Sequence, residues 1–264
     1  MKFFLKNYSL LRIEGRDSKD FLNGQFTNNI YSLSSDSLQL NAYCQHQGKI
    51  ISLLWTFTED ESYYLCFHSS LLEVVINRLN MFKMMSDVRI EDVSNQFFLY
   101  AGVDEQQANS FHFKSNFFLF KSKQKLDNFF EEDLWNRLCI EKGIPEIYRD
   151  TSEQFIPQAL NLDINETGVS FTKGCYPGQE VVARMHYLGK PKRRLFRFTS
   201  QFEVSIGDNL NVKDSKSLKS SGQVIRVTKN DTEYQFLGVF DVGHINDKIF
   251  LNTDQTKLVY LIHE

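Results

Sequence analysis

Apolar and polar positions alternate over residues 38–44. Leu38, Leu40, Ala42 and Cys44 fall on one face, and Gln39, Asn41 and Tyr43 on the other. That period of two predicts a strand with one buried face. The turn Gln47-Gly48-Lys49 leads to a second strand over 50–58, and residues 59–62 lead to a third over 63–68, so a three-strand meander is expected. The period then lengthens. Leu72, Val75, Ile76, Leu79 and Phe82 recur at helical spacing behind Ser70-Leu71-Leu72-Glu73, which reads as a capping box. An amphipathic helix is predicted over 70–85. Strands over 88–93, 97–102 and 117–121 follow, then a long helix over 127–142 that Gly143 and Pro145 end. Residues 1–12 read as a first strand. The order of strands, helix, strands, helix suggests two similar α+β lobes.

From Asn161 onward the pattern changes. Residues 168–178 form a glycine-containing loop, and a short helix is expected over 179–187. After Gly189-Lys190-Pro191 only strand signals remain, over 194–199, 208–212, 222–228, 236–241, 248–251 and 257–262. Six short strands separated by turns such as Lys229-Asn230-Asp231 read as a small β-barrel or sandwich. The boundary is expected between Tyr187 and Lys192. This gives an α+β region over 1–188 and a C-terminal β unit over 189–264, a division that 264 residues allow.

Composition narrows the function classes. With 24 Phe, 11 Tyr and only 4 Pro the chain can bury a core, which excludes a disordered or fibrous protein. Its longest apolar stretches, such as 50–55, fall far short of a membrane span, and residues 1–12 lack the pattern of a leader. No membrane partner is expected, and the cytoplasm is the expected location. Thirty basic and 33 acidic residues leave a net charge of -3, so the chain as a whole is no general polyanion binder. One stretch departs from that balance. Residues 181–202 hold no acid but carry Arg184, Lys190, Lys192, Arg193, Arg194 and Arg197. They form either a patch for phosphates or a polycarboxylate tail, or a solvated strap between domains.

The four cysteines have no metal or redox spacing, so no metal site is expected. Cys44, Cys66 and Cys139 sit in apolar company and read as buried spectators. Cys175 differs. It lies in Phe171-Thr172-Lys173-Gly174-Cys175-Tyr176-Pro177-Gly178-Gln179-Glu180, two residues after a lysine and just before a helix start. A nearby cation and a helix N-terminus favour the thiolate, which makes a nucleophilic cysteine one reading. The other is a rigid turn that packs one domain on the next.

The run Lys173-Gly174-Cys175-Tyr176-x-Gly178-Gln179-Glu180-x-x-x-Arg184 resembles the signature of the YgfZ family of folate-binding, tRNA-modification-related proteins. These are relatives of the glycine-cleavage T-protein, an aminomethyltransferase. The similarity extends to Gly143-Ile144-Pro145-x-Ile147, to Gln154-Phe155-Ile156-Pro157-Gln158-Ala159-x-Asn161-Leu162, to Gly15-x-Asp17, to Phe21-Leu22-Asn23-Gly24-Gln25-Phe26-Thr27 and to Gly48-Lys49. It implies a T-protein-like fold, with α+β lobes around a folate pocket and a small C-terminal β-barrel closing it. The cofactor it implies is tetrahydrofolate or a derivative. Glu141 of Glu141-Lys142-Gly143 would contact the pterin, and Trp135 and Tyr8 would line the pocket, with Tyr8 where other members have Trp. Cys175 would be the functional thiol, Lys173 would favour its thiolate, and Arg184 would add positive potential. Glu180 would cap the following helix or pair with Arg184.

The implied role is support of iron–sulfur cluster synthesis or repair and, through it, tRNA modification by methylthiolation. Iron–sulfur enzymes or their assembly proteins would be partners, with a weak contact to tRNA. One departure bears on activity. True aminomethyltransferases carry two aspartates where this chain has Ser52 and Leu53, and neither can serve as a carboxylate base. Folate binding without T-protein activity is therefore expected. The rival readings are a genuine one-carbon transferase, an RNA-binding module built on 184–197, and an iron–sulfur carrier.

Overall fold

A computed structural model describes residues 1–103, 110–113, 117–212 and 220–263. The chain begins with β1 (Lys2–Phe4), β2 (Tyr8–Glu14) and α1 (Ser18–Asn23), then β3 (Gln39–Cys44), β4 (Ile50–Glu59) and β5 (Ser62–His68). Next come α2 (Leu72–Lys83), β6 (Arg89–Asp92), β7 (Phe98–Val103), β8 (Phe111–Phe113), β9 (Phe117–Ser122), α3 (Glu132–Glu141) and α4 (Gln179–Leu188). The last third is β10 (Arg193–Ser200), β11 (Asn209–Val212), β12 (Gly222–Lys229), β13 (Tyr234–Asp241), β14 (Ile249–Leu251) and β15 (Leu258–Leu261).

The predicted meander is present as β3-β4-β5, which β2 and β6 extend to five strands. β4 is buried without interruption from Ile50 to Phe57, as an apolar run covered on both faces should be. A second sheet has the order β1-β7-β9-β8. The stretch expected as one N-terminal strand is thus two strands, one in each sheet, with a turn at residues 5–7 between them. β8 was not predicted. It is three residues long and shows no period to read.

Two helices differ from expectation. No capping box opens α2: His68 accepts from the Ser70 amide, and the Ser70 hydroxyl accepts from the Arg149 amide. The helix buries Val75 and Leu79 but leaves Phe82 exposed. α3 is shorter than the 127–142 expected, because Phe130 bridges to β1 instead, its amide donating to the Lys2 carbonyl and its carbonyl accepting from the Phe4 amide. Gly143 ends the segment at φ +65, a conformation open to glycine.

The six C-terminal strands close into an antiparallel barrel of order β10-β13-β12-β11-β14-β15. Phe198, Phe236 and Phe240 fill its interior. Its outer face joins the main core through Leu195, Ile225, Leu237 and Val239. A bulge in β12 between Val224 and Arg226 breaks the alternation of faces. Ile225 and Arg226 consequently both point toward the lobes, Ile225 into the main core and Arg226 onto lobe residues. No helix among the described residues is long and apolar enough to cross a membrane.

Candidate functional site

The cysteine loop is pinned by contacts with two distant segments. The Ser170 amide donates to the Thr27 carbonyl, and the Thr27 hydroxyl donates to the Gly168 carbonyl. The Lys173 ammonium donates to the carbonyls of Asn23 and Phe26, just beyond α1, and lies 5.0 Å from the centre of the Tyr176 ring. Gly178 sits at φ +83 against the turn that holds Gly48. The motif residues therefore meet residues 23–27 and 48, two of the other segments that carry the resemblance.

Within the loop the roles divide. Tyr176 is buried, whereas Gly174 and Cys175 are exposed. The Lys173 amine is lowered to about 8, chiefly because burial strips its water, while the nearby Cys175 thiolate pulls it back up. Lys173 thus both ties the loop down and stays within electrostatic reach of the thiol. α4 opens at Gly178, buries Val182 and accepts a hydrogen bond at the Val182 carbonyl from Gln158. Gln179 is half-buried, and Glu180 and Arg184 are exposed. The expected pairing of Glu180 with Arg184 is absent from the ion pairs among the described residues.

Of the four thiols, only Cys175 is exposed. Burial pushes Cys44 and Cys66 far up and Cys139 up to about 12. A neutral-pH alkylating reagent should therefore modify Cys175 selectively in the folded protein, with the other three reacting only after unfolding. Peptide mapping by mass spectrometry checks this, and equal labelling of all four would contradict the burial described here. Among the described residues no group of three or more His, Cys, Asp or Glu could hold a metal ion.

The residues assigned to the pterin lie elsewhere, around α3. Trp135 is 1% exposed, with its ring 4.4 Å from Phe117 and 5.8 Å from Phe3, and its indole N–H has no partner among the described residues. Glu141 is half-exposed and pairs with Arg137 at 3.2 Å, while its carbonyl accepts from Arg197. Beside α3 opens a cavity of about 380 Å³ whose walls include Phe113, Phe117, Leu138, Lys142, Ile144 and Leu162. Lys142 is its one cationic side chain among the described residues. A second cavity, of about 350 Å³, lies toward the barrel between Arg197 and Leu237 and shares Gly143 and Asn161 with the first.

From sequence Trp55 stood only as the second indole of the chain and was not assigned to the pocket. Its ring lies 5.0 Å from Phe113 and 5.3 Å from Phe117, so both tryptophans of the chain back the same cavity wall.

Tyr8 does not line either cavity. It is buried, and its hydroxyl donates to Glu146 at 2.6 Å and accepts from Arg226 at 3.0 Å. Arg226 also donates to the Ile144 carbonyl and to Asn136, and its guanidinium is 3.7 Å from the Glu146 carboxylate. Neither Glu146 nor Arg226 was singled out from sequence. The signal available was a charge inside an apolar run, in Ile144-Pro145-Glu146-Ile147 and in Val224-Ile225-Arg226-Val227. Such a charge is buried only with a partner.

No protein-family model matches the chain. The tRNA-modifying protein YgfZ of Colwellia psychrerythraea is 29% identical over 234 residues, which cover 75% of this chain and 71% of that one. The tRNA-modifying protein YgfZ of Hamiltonella defensa is 29% identical over 263 residues, covering 85% and 78%. Among solved structures, the glycine cleavage system aminomethyltransferase T of Bartonella henselae superposes with a TM-score of 0.69. That match covers 100% of this chain and 84% of the other at 12% identity, and the likeness is one of fold.

Proposed function

We propose, from the premise that this chain is a homologue of the tRNA-modifying proteins YgfZ, that it binds a reduced folate and supports tRNA modification. The observation that carries folate binding is the cavity beside α3 in a T-protein-like fold. Its size is that of a small-molecule site, about 300–1,000 Å³. Phe113 and Phe117 supply flat apolar walls for a pterin, and Lys142 supplies a cation for a carboxylate tail. The donor-rich pterin edge needs an acceptor. Glu141 is adjacent to Lys142, and its exposed pair with Arg137 is cheap to exchange, since such i,i+4 pairs are worth about 0.3–0.5 kcal/mol. Trp135 backs the Phe117 wall rather than stacking on the ligand itself.

Calorimetric titration with tetrahydrofolate tests this reading. Saturable heat is expected, together with a change in tryptophan fluorescence. Because Trp55 and Trp135 both touch Phe117, each single Trp→Phe variant should keep part of the signal. Lys142→Gln should weaken binding by roughly ten- to hundredfold, hydrogen bonds to charged groups being worth about 1.5–3 kcal/mol. No heat and no fluorescence change in the parent would remove the folate reading. Ser52 and Leu53 are both buried in β4, so no carboxylate enters from those positions, and we expect binding without aminomethyl transfer.

Cys175 is the functional thiol in this proposal, with Lys173 and Arg184 as its cationic surroundings and residues 1–188 as the folate-binding region. Through that thiol the protein would assist synthesis or repair of the iron–sulfur enzymes that modify tRNA in the cytoplasm. Cys175→Ala should then fail to restore iron–sulfur enzyme activity in cells lacking the protein while still binding folate.

A further inference from the structure

Of the six cations in 184–197, the structure commits three. Arg193 donates to the Ser220 carbonyl, Arg194 to Asp163 and to the Gln158 carbonyl, and Arg197 to the Glu141 carbonyl. Arg184, Lys190 and Lys192 are exposed and have no polar partner among the described residues. Along the chain they flank an aromatic step. The His186 ring lies flat on Phe171, with centroids 3.6 Å apart and planes 18° apart. Tyr187 stands edge-on to His186 at 4.8 Å and is 66% exposed. Just past the end of α4 a groove of about 380 Å³ runs between Phe155, Ile156 and Met185, with Lys190, Lys192 and Arg193 along it.

We propose that this end of α4 binds single-stranded RNA, with bases stacking on His186 and Tyr187 and phosphates on Arg184, Lys190 and Lys192. A single exposed aromatic residue is ordinary on a protein surface. Two exposed rings beside three unpaired cations form the combination that unpaired nucleotides use, since duplex bases offer no free face for stacking. The net charge of -3 means that the chain as a whole is no general polyanion binder. The proposal deepens the tRNA-modification reading and rests on it: it places an unpaired segment of the RNA at α4, the helix that the Cys175 loop leads into.

The test is fluorescence anisotropy of the intact protein with labelled oligoadenylate RNA, the same RNA as a duplex, and oligoglutamate. The single strand should bind more tightly than the duplex. The dependence of log K on log salt should have a slope of about -2, which is three phosphates at about 0.7 each. His186→Ser with Tyr187→Ser should weaken binding by roughly tenfold or more at unchanged slope, given the usual stacking contribution. Lys190→Gln with Lys192→Gln should bring the slope to about -0.7. Tetrahydrofolate titration of the same variants should match the parent, and a parent that binds tetrahydrofolate but no RNA, or variants that bind RNA as the parent does, would overturn this inference alone. Equal binding of duplex, or of oligoglutamate as an acidic-protein mimic, would also overturn it.

Discussion

Replacing Arg226 by methionine should destabilise the chain by about 3–5 kcal/mol, the usual cost of removing one partner from a buried ion pair. Arg226 and Glu146 have side chains 1% and 3% exposed, so water cannot take over the lost contacts. The guanidinium also satisfies Tyr8, Asn136 and the Ile144 carbonyl, and through them holds the barrel to α3 and to β2. The loss should depend on pH. Burial pushes the Glu146 carboxyl up, and the Arg226 charge pulls it back. Without Arg226 it should rise further. A carboxyl with a raised folded-state value stabilises the fold at pH below its unfolded value of about 4.3. That contribution is lost as pH climbs through the folded value. The deficit of the variant should therefore be smallest in acid and grow toward neutral pH. Adding Glu146→Gln removes the stranded charge and should recover part of the loss, with a coupling of about 0.5–3 kcal/mol. Denaturant unfolding of the parent, the two single variants and the double variant at acid and neutral pH measures both effects. A deficit that is flat with pH would take Glu146 out of the network.

That network marks where sequence reading stopped. Elements with a clear period were legible: the meander around β4, the helix that buries Val75 and Leu79, and all six barrel strands to within one or two residues at most ends. Their signal is local, because one face or both must be apolar. The contacts of Arg226 are not local. They depend on a bulge that turns one strand position and on partners 80 to 218 residues away. For the same reason Tyr8 resembled a pocket aromatic by its position, and only the fold shows its hydroxyl committed to Glu146 and Arg226. The capping box failed for a different reason. Ser70 and Glu73 have the right spacing, but the Ser70 hydroxyl is already engaged by His68 and by the Arg149 amide, so a tertiary contact displaced a local one. The cysteine motif was legible as a unit because its residues are contiguous. What each glycine in it does was not.

Gly178→Ala should cost about 2–5 kcal/mol, the larger part of it from backbone against backbone. Gly178 has φ +83, which an L-residue adopts at a cost of about 1–2 kcal/mol. Its new Cβ would lie 2.5 Å from the Cα of Gly48 and 2.6 Å from both the Gln45 carbonyl oxygen and the Gly48 nitrogen. No side chain there can rotate aside, because the turn is closed by hydrogen bonds from the Gln45 amide to Lys49 and from the Gly48 amide to Gln45. Overpacking of this kind adds about 1–3 kcal/mol. The turn and the start of α4 must then separate, and the Cys175 loop moves with them. Gly174 is the internal control: an alanine Cβ there meets nothing within 4 Å, so Gly174→Ala should be close to neutral. Gly143→Ala lies between the two, with φ +65 but open space, and should carry only the conformational part. Thermal unfolding of the three variants should rank them Gly174, Gly143, Gly178 in order of increasing loss. Parent-like stability for Gly178→Ala would mean that the Gly48 turn and the cysteine loop are not in contact in solution, and the loop would lose the anchor that holds its thiol at the surface.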